Sequence, residues 1–345
     1  MVFRYLNGPV FGLGAALIFI PATSGIAAAQ ELSLNYESLS SLEEPLATEI
    51  GDITLVLTGL LDISMSNGSE DNGAPDASLI GNAQVAALGQ LPNSWRVSLT
   101  YFGQYATDAA IGLRSDEQFI DNGAISVGSA WGTLLVGDVS GIVREQTRRR
   151  RGAGNGVLAF DDVLGHLDDP GAGYHGRFGP WVVSAVGDRD GNLDVGAMFQ
   201  RPAGNRDYRI AFRATDAVYR TADGSGRFDT RAVAAVAEMI YGSTTYDAGV
   251  GLERLTSITR KADRWFVSAG ARTKAGVVGI SIGAHFGRIE GQDEFSAALG
   301  LQYDIARGLS ANLGFNHARA NIVIDDATFM DIDETEVVVS IRYSF

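Results

Sequence analysis

From Ile53 to its last residue, Phe345, the chain alternates apolar and polar side chains with a period of two, segment after segment. Ile53, Leu55, Leu57, Leu61 and Ile63 share one face, against Thr54, Thr58 and Asp62 on the other. Val278, Ile280, Ile282, Ala284 and Phe286 alternate with Gly279, Ser281, Gly283 and His285. Phe295, Leu299, Leu301, Tyr303 and Ile305 alternate with Ser296, Gly300, Gln302 and Asp304. Such a period places alternate side chains on opposite faces of a β-strand. The last segment puts Val337, Val339, Ile341, Tyr343 and Phe345 on one face, with Glu336, Ser340, Arg342 and Ser344 on the other. An apolar strand ending a chain would be an exposed edge, which invites aggregation. A sheet that closes on its last strand has no edge.

Sixteen segments of this kind begin near Ile53, Leu79, Trp95, Phe119, Thr133, Ala172, Trp181, Leu193, Tyr208, Thr230, Thr245, Trp265, Val277, Glu294, Ser310 and Glu334. Their connections alternate in length. Leu91–Ser94, Ser129–Gly132, Gly179–Pro180, Arg201–Asp207, Gly242–Thr244, Lys274–Gly276 and Ala306–Leu309 are short. Asn67–Asp76, Thr107–Gln118, Gly141–Gly171, Gly187–Asn192, Asp216–Asp229, Thr256–Lys261, Arg288–Asp293 and Asn321–Asp333 are longer. Trp95, Trp131 and Trp181 all stand at short turns, which suits rings held between an apolar and a wet layer. The polar faces carry Arg96, Gln104, Arg177, Arg209, Arg213, Asp247, Glu253, Arg272, Gln302, Asp304, Asn312, Asn316 and Arg342. A packed core would not tolerate so many ionic groups, so that face meets water.

The ends add addresses. Arg4, an apolar run over Val10–Ile20, Pro21 and Ala27-Ala28-Ala29 before Gln30 form a secretory signal-peptide pattern, which predicts cleavage of residues 1–29. Residues 30–49 are acidic and read as a periplasmic lead-in, with the strands spanning 50–345. The formal charge of −14 argues against a nucleic-acid partner. With no cysteine there are no disulfides and no thiolate metal sites. Mean hydropathy near zero is too polar for a bundle of membrane helices, but fits strands of which every second residue meets lipid.

In these features the mature chain resembles the outer-membrane porins of Gram-negative bacteria, most closely those of α-proteobacteria. The resemblance lies in the strand count, the sorted connections, the terminal Phe345 and the long connection Gly141–Gly171 after the fifth strand. It includes Trp131-Gly132-Thr133-Leu134-Leu135-Val136-Gly137, similar to the porin F/W-G-T-x-x-V-G segment. The resemblance implies an all-β fold: a 16-stranded antiparallel transmembrane barrel with residues 141–171 folded into the lumen as a constriction loop. It implies a passive diffusion channel for small hydrophilic solutes and ions, with a substrate-selective channel as the alternative. It further implies a homotrimer, contact with outer-membrane lipid and lipopolysaccharide, and barrel-assembly machinery that engages the strand ending in Phe345.

The loop is polarised. Arg144, Arg148, Arg149, Arg150 and Arg151 occupy its first half, and Asp161, Asp162, Asp168 and Asp169 its second. Facing a channel, the two halves would set up a transverse field. Arg96, Arg177, Arg209, Arg213, Arg272 and Arg342 are the expected basic wall. In many general porins an acidic loop faces a basic wall; here the arginines are on the loop, so ion selectivity does not carry over from the resemblance. Gly279-Ile280-Ser281-Ile282-Gly283 matches the G-x-S-x-G nucleophile elbow of hydrolases, but sits inside an alternating strand rather than at a strand-to-helix turn. An outer-membrane hydrolase using Ser281 is the reading from another class, and the chain is expected not to be an enzyme. His166, His175, His285 and His317 show no zinc spacing. No cofactor is expected. Asp325, Asp326, Asp331, Asp333 and Glu334 offer oxygen ligands of the kind Ca²⁺ takes, without a fixed ligand spacing.

Overall fold

The computed structural model describes residues 45–68, 76–110, 116–167, 170–203, 206–220, 227–257, 261–324 and 327–345. The proposed signal peptide, most of the lead-in, and Asp168, Asp169, Asp325 and Asp326 lie outside them. In chain order the strands are β1 (Leu46–Ile50), β2 (Ile53–Gly68), β3 (Asp76–Gln90), β4 (Arg96–Ala110), β5 (Asp116–Ser129), β6 (Gly132–Gly137), β7 (Gly171–Phe178), β8 (Trp181–Asp188) and β9 (Leu193–Ala203). They continue with β10 (Arg206–Arg220), β11 (Arg227–Tyr241), β12 (Thr244–Thr256), β13 (Lys261–Ala275), β14 (Val278–Ile289), β15 (Gln292–Ala306), β16 (Leu309–Ile324) and β17 (Ala327–Ser344). One short helix, α1 (Ile142–Thr147), follows β6. Among the described residues no helix is long and apolar enough to cross a membrane, which says nothing about a β-barrel.

Each strand from β2 to β17 pairs antiparallel with the next, and β17 pairs back onto β2 from Ser344↔Leu60 to Glu336↔Gly68. The sixteen strands therefore form a closed barrel. Phe345 completes the seam: its carbonyl accepts the Gly59 N–H at 2.9 Å, and its own N–H reaches the Gly59 carbonyl at 3.1 Å. Below that point β1 takes over the same edge of β2, with Leu46 opposite Leu57 and Ile50 opposite Ile53. The end of the segment read as a periplasmic lead-in is a strand, because the edge of β2 would otherwise leave its backbone groups unpaired.

The outward face is apolar and exposed. Ile63, Leu99, Ile125, Val250, Leu252, Ile282, Leu299 and Val339 are all at least half exposed. Trp95 and Trp131 meet edge-on, with centroids 6.0 Å apart, and Trp131 stacks on Tyr174 at the same distance. These rings ring the short-turn end. Trp265 and Phe286, 5.6 Å apart, mark the long-loop end. The short turns hold Gly179, Gly242, Gly276 and Gly308 at φ between +58° and +72°, where a side chain would be strained. At the other end, two of the expected long loops are shorter than the sequence suggested. Asn321–Asp333 is mostly strand, pairing Asn321 with Asp331 and Ile324 with Ala327, and only two residues separate β14 from β15. The alternation continues there, and ladder bonds satisfy the backbone better than a loop does.

The buried core lies inside the ring. Phe160 and Leu164, from the connection between β6 and β7, pack on Leu255, Ile289, Ala320, Ile322 and Ile332. Leu167 and Val143, from the same connection, join Leu135, Val139, Val186 and Ala217.

Candidate functional site

The connection between β6 and β7 lies along the inward faces of the strands. α1 starts it, turning the buried Val143 and Thr147 toward the wall. There Gly196 of β9 leaves room; a Cβ on it would fall within 2.8 Å of both side chains. Gln146 donates to the Val182 carbonyl of β8 at 2.9 Å and accepts the Ser184 hydroxyl. Arg209 of β10 donates to the carbonyls of Gln146 and Arg148. Arg272 of β13 donates to the Arg151 carbonyl at 3.1 Å, and Ser281 of β14 accepts the Ala153 N–H at 2.7 Å. Gly300 and Gly314 form the floor for residues 153–155, so close that a Cβ on either would overlap the loop backbone. Asn316 of β16 accepts the Val157 N–H at 3.0 Å and donates to the Asn155 carbonyl at 3.1 Å.

The turn-round point is Asn155, which donates to Ser340 at 3.1 Å and accepts from Arg342 at 3.2 Å. Arg342 also donates to Asp62 of β2 at 2.6 Å, so one guanidinium ties the last strand, the first barrel strand and the loop together. The chain then returns. Ser296 of β15 donates to the Ala159 carbonyl at 2.6 Å, Arg264 of β13 to the carbonyls of Phe160 and Asp162 at 2.6 and 2.9 Å. Glu253 of β12 accepts the N–H groups of Leu164 and Gly165, and the His166 N–H reaches the Val218 carbonyl of β10. The segment thus lines the wall from β8 to β17 and back to β10. Among the described side chains, the inner faces of β2 to β6 carry few charges, Asp62 and Arg96, beside uncharged groups that include the cross-strand pairs Ser64–Ser78 and Ser98–Ser126, each 2.6 Å apart, and Thr100.

The charges on this surface are paired more thoroughly than the sequence suggested. Arg149 binds Asp247 of β12 and Asp161 of its own loop. Arg144 binds Asp162 at 3.0 Å, and Asp162 also meets Arg213, which holds Asp194 of β9. Arg150 and Arg209 share Glu238 of β11. Arg148 pairs with Glu145. The two halves of the loop therefore neutralise each other and the wall instead of facing across a gap. Of the expected wall residues, Arg209 and Arg213 lie beneath the loop, with side chains only 4 % and 3 % exposed. Arg272 and Arg342 hold the loop, as described. Arg96 and Arg177 stand exposed on the inward face near the short-turn end. Sequence reasoning missed Glu238, Asp194 and Glu294. Each is an acid on the inward face of its strand, and that parity was the available signal.

Burial raises the Asp161 and Glu145 carboxyls despite the arginines beside them. Burial pushes Asp162 the same way, but Arg213, Arg144 and the Val163 N–H outweigh it, and its pKa is lowered. Arg151, desolvated and beside Arg148 and Arg144, is lowered to about 10 and stays a cation at neutral pH. On acidification Asp161 and Glu145 are neutralised first, while Asp162 stays charged. The loop then gains net positive charge as the pH falls through their raised pKa values. Reversal potentials taken across a salt gradient as the pH is lowered from 7 should move toward anion preference; a move toward cations would contradict this assignment.

Ser281 lies within β14 and uses its hydroxyl to accept from Ala153; the strand-to-helix elbow its motif requires is not formed there. Among the described residues no group of three or more His, Asp or Glu is placed to hold a metal ion.

No protein-family model matches the sequence, and no curated protein matches it. Solved structures do resemble the fold. OmpT, an outer membrane protein of Vibrio cholerae in its trimer form, superimposes with a TM-score of 0.64 at 12 % identity, over 85 % of this chain and 99 % of that one. The anion-selective porin from Comamonas acidovorans gives 0.61 at 14 % identity, over 85 % and 100 %. A substituted Rh. blastica porin gives 0.51 at 14 % identity, over 84 % and 100 %. The fold is that of the Gram-negative outer-membrane porins.

Proposed function

We propose that this porin-fold barrel is a passive diffusion channel for small hydrophilic solutes and ions across the bacterial outer membrane. The observation that carries the reading is the contrast between its faces: a closed ring of sixteen strands, apolar and exposed outside, ionic and hydroxylated inside. A ring of that size is wide enough to keep a water-filled passage. The loop seated along β8 to β17 supplies the constriction, and the hydroxyl-lined sector from β2 to β6 forms the opposite side of the path. The solved relatives of the fold include proteins named as porins, which supports a channel over a hydrolase. Liposomes carrying the protein should swell in isotonic solutions of small sugars, at rates that fall with solute size. Liposomes that do not swell would oppose a diffusion pore.

The same reading includes export by the N-terminal signal, insertion through barrel-assembly machinery that reads the strand ending in Phe345, and contact with lipid and lipopolysaccharide. It also includes a homotrimer. The Vibrio cholerae relative is described in a trimer form. The outward face of β3 carries Gly81, Ala83, Val85, Ala87 and Gly89, small enough for close approach of a second barrel. A species of monomer mass in mild detergent would count against the trimer.

A further inference from the structure

Glu238 and Asp247 stand directly opposite each other on the paired strands β11 and β12, both facing inward. Their side chains are 0 % and 5 % exposed. Two like charges in register across a sheet repel, so the pair is stable only where cations reach it. The wall supplies one in register, Arg209 of β10, which lies opposite Glu238 and binds it at 2.9 Å. On the far side, Asp247 lies opposite Gly270 of β13. The row therefore reads arginine, glutamate, aspartate, glycine, with one cation in register for two carboxylates; Arg272, two residues from Gly270 on β13, feels both from the side but donates to the Arg151 carbonyl.

The loop fills that deficit with two consecutive residues. Arg149 donates to Asp247 through Nε at 2.5 Å and again through Nη2. Arg150 gives its backbone N–H to Glu238 at 3.2 Å, and its Nε lies 3.3 Å from the same carboxylate as an ion pair. The space for Arg149 is built into the wall: a Cβ on Gly270 would lie 2.6 Å from its Nη2, and one on Gly249 3.0 Å from its Cδ. The two carboxylates and two glycines make a receptacle shaped for one guanidinium and half of the next. Arg149 is almost fully covered, while the Arg150 side chain remains 41 % exposed. Arg148 pairs inside the loop with Glu145.

Resting on the diffusion-channel reading, we propose that Glu238 and Asp247 determine the charge selectivity of the passage, by withdrawing Arg149 and part of Arg150 from the field that permeating ions meet. The four consecutive arginines are then not equivalent, and the residues that grade them lie on the wall, outside the loop. A carboxylate removed from the receptacle uncovers a positive charge. An arginine removed from it uncovers a negative one.

The test is the anion-to-cation permeability ratio from reversal potentials, on folded protein verified by heat-modifiable mobility in gels. Asp247→Asn and Glu238→Gln should each shift the ratio toward anions, and Arg149→Ser should shift it toward cations, each by roughly threefold. Arg149→Ser with Asp247→Asn should fall between its two parents. A role limited to holding the loop would move the single variants in the same direction, because each would only loosen it; that result overturns the proposal, as does an unchanged ratio in channels that conduct normally. Should Glu238→Gln fail to fold, the Arg149 and Asp247 singles and their double carry the same contrast of sign. A wild-type protein that does not conduct overturns the diffusion reading itself, which is a different failure.

Discussion

Replacing Arg264 by Met should destabilise the barrel by about 3–5 kcal/mol and free the return lane of the loop. Arg264 is completely buried on β13, between Glu253 of β12 at 3.0 Å and Glu294 of β15 at 2.8 Å. His285 of β14 also reaches Glu294, at 3.0 Å. Methionine fills similar volume but removes every donor. Two buried carboxylates would then lose the cation they share, and the carbonyls of Phe160 and Asp162 would lose their partner. Breaking a buried ion network by removing one member is costly, while replacing all of it by neutral groups is much less so. Arg264→Met, Glu253→Gln, Glu294→Gln together should therefore recover part of the loss. Thermal unfolding in detergent measures both. A single variant as stable as the wild type would mean that these carboxylates are not ionised in the folded barrel.

Replacing Arg148, Arg149, Arg150 and Arg151 together by Ser should turn the passage cation-selective, changing the permeability ratio by more than about tenfold. The reason is what remains. Glu238, Asp247, Asp161 and Glu145 each lose a cationic partner. Conductance should also rise, because repulsion in the emptied receptacle weakens the loop's hold on the wall. The readouts are reversal potential across a salt gradient and single-channel conductance. An unchanged reversal potential would place the arginines outside the ion path.

The strands were legible because a period of two is local. All sixteen were found from their own residues, and Phe345 marked the seam that β17 and β2 close. Strand ends were less legible: the polar tips of β16 and β17 look like loop but keep their ladder. The loop's seat was hidden for a different reason. Arg149 and Asp247 are 98 residues apart, and Arg150 and Glu238 are 88 apart. Parity says that Asp247 faces inward, but not which part of the loop crosses it. The arginine run therefore read as the basic half of a polarised constriction facing the channel, although two of its members are matched to wall carboxylates. The glycines below residues 153–155 could not be told from ordinary turn or spacer glycines until the backbone lying on Gly300 and Gly314 was seen.

Single-channel recording in planar lipid bilayers tests the central claim most directly. A barrel with an ionic, hydroxylated interior, whose loop is seated mainly along β8 to β17, should insert and conduct in discrete ohmic steps, with conductance rising with salt concentration. Folded protein that inserts and gives no steps would mean that the seated loop closes the barrel, and the channel assignment would be wrong.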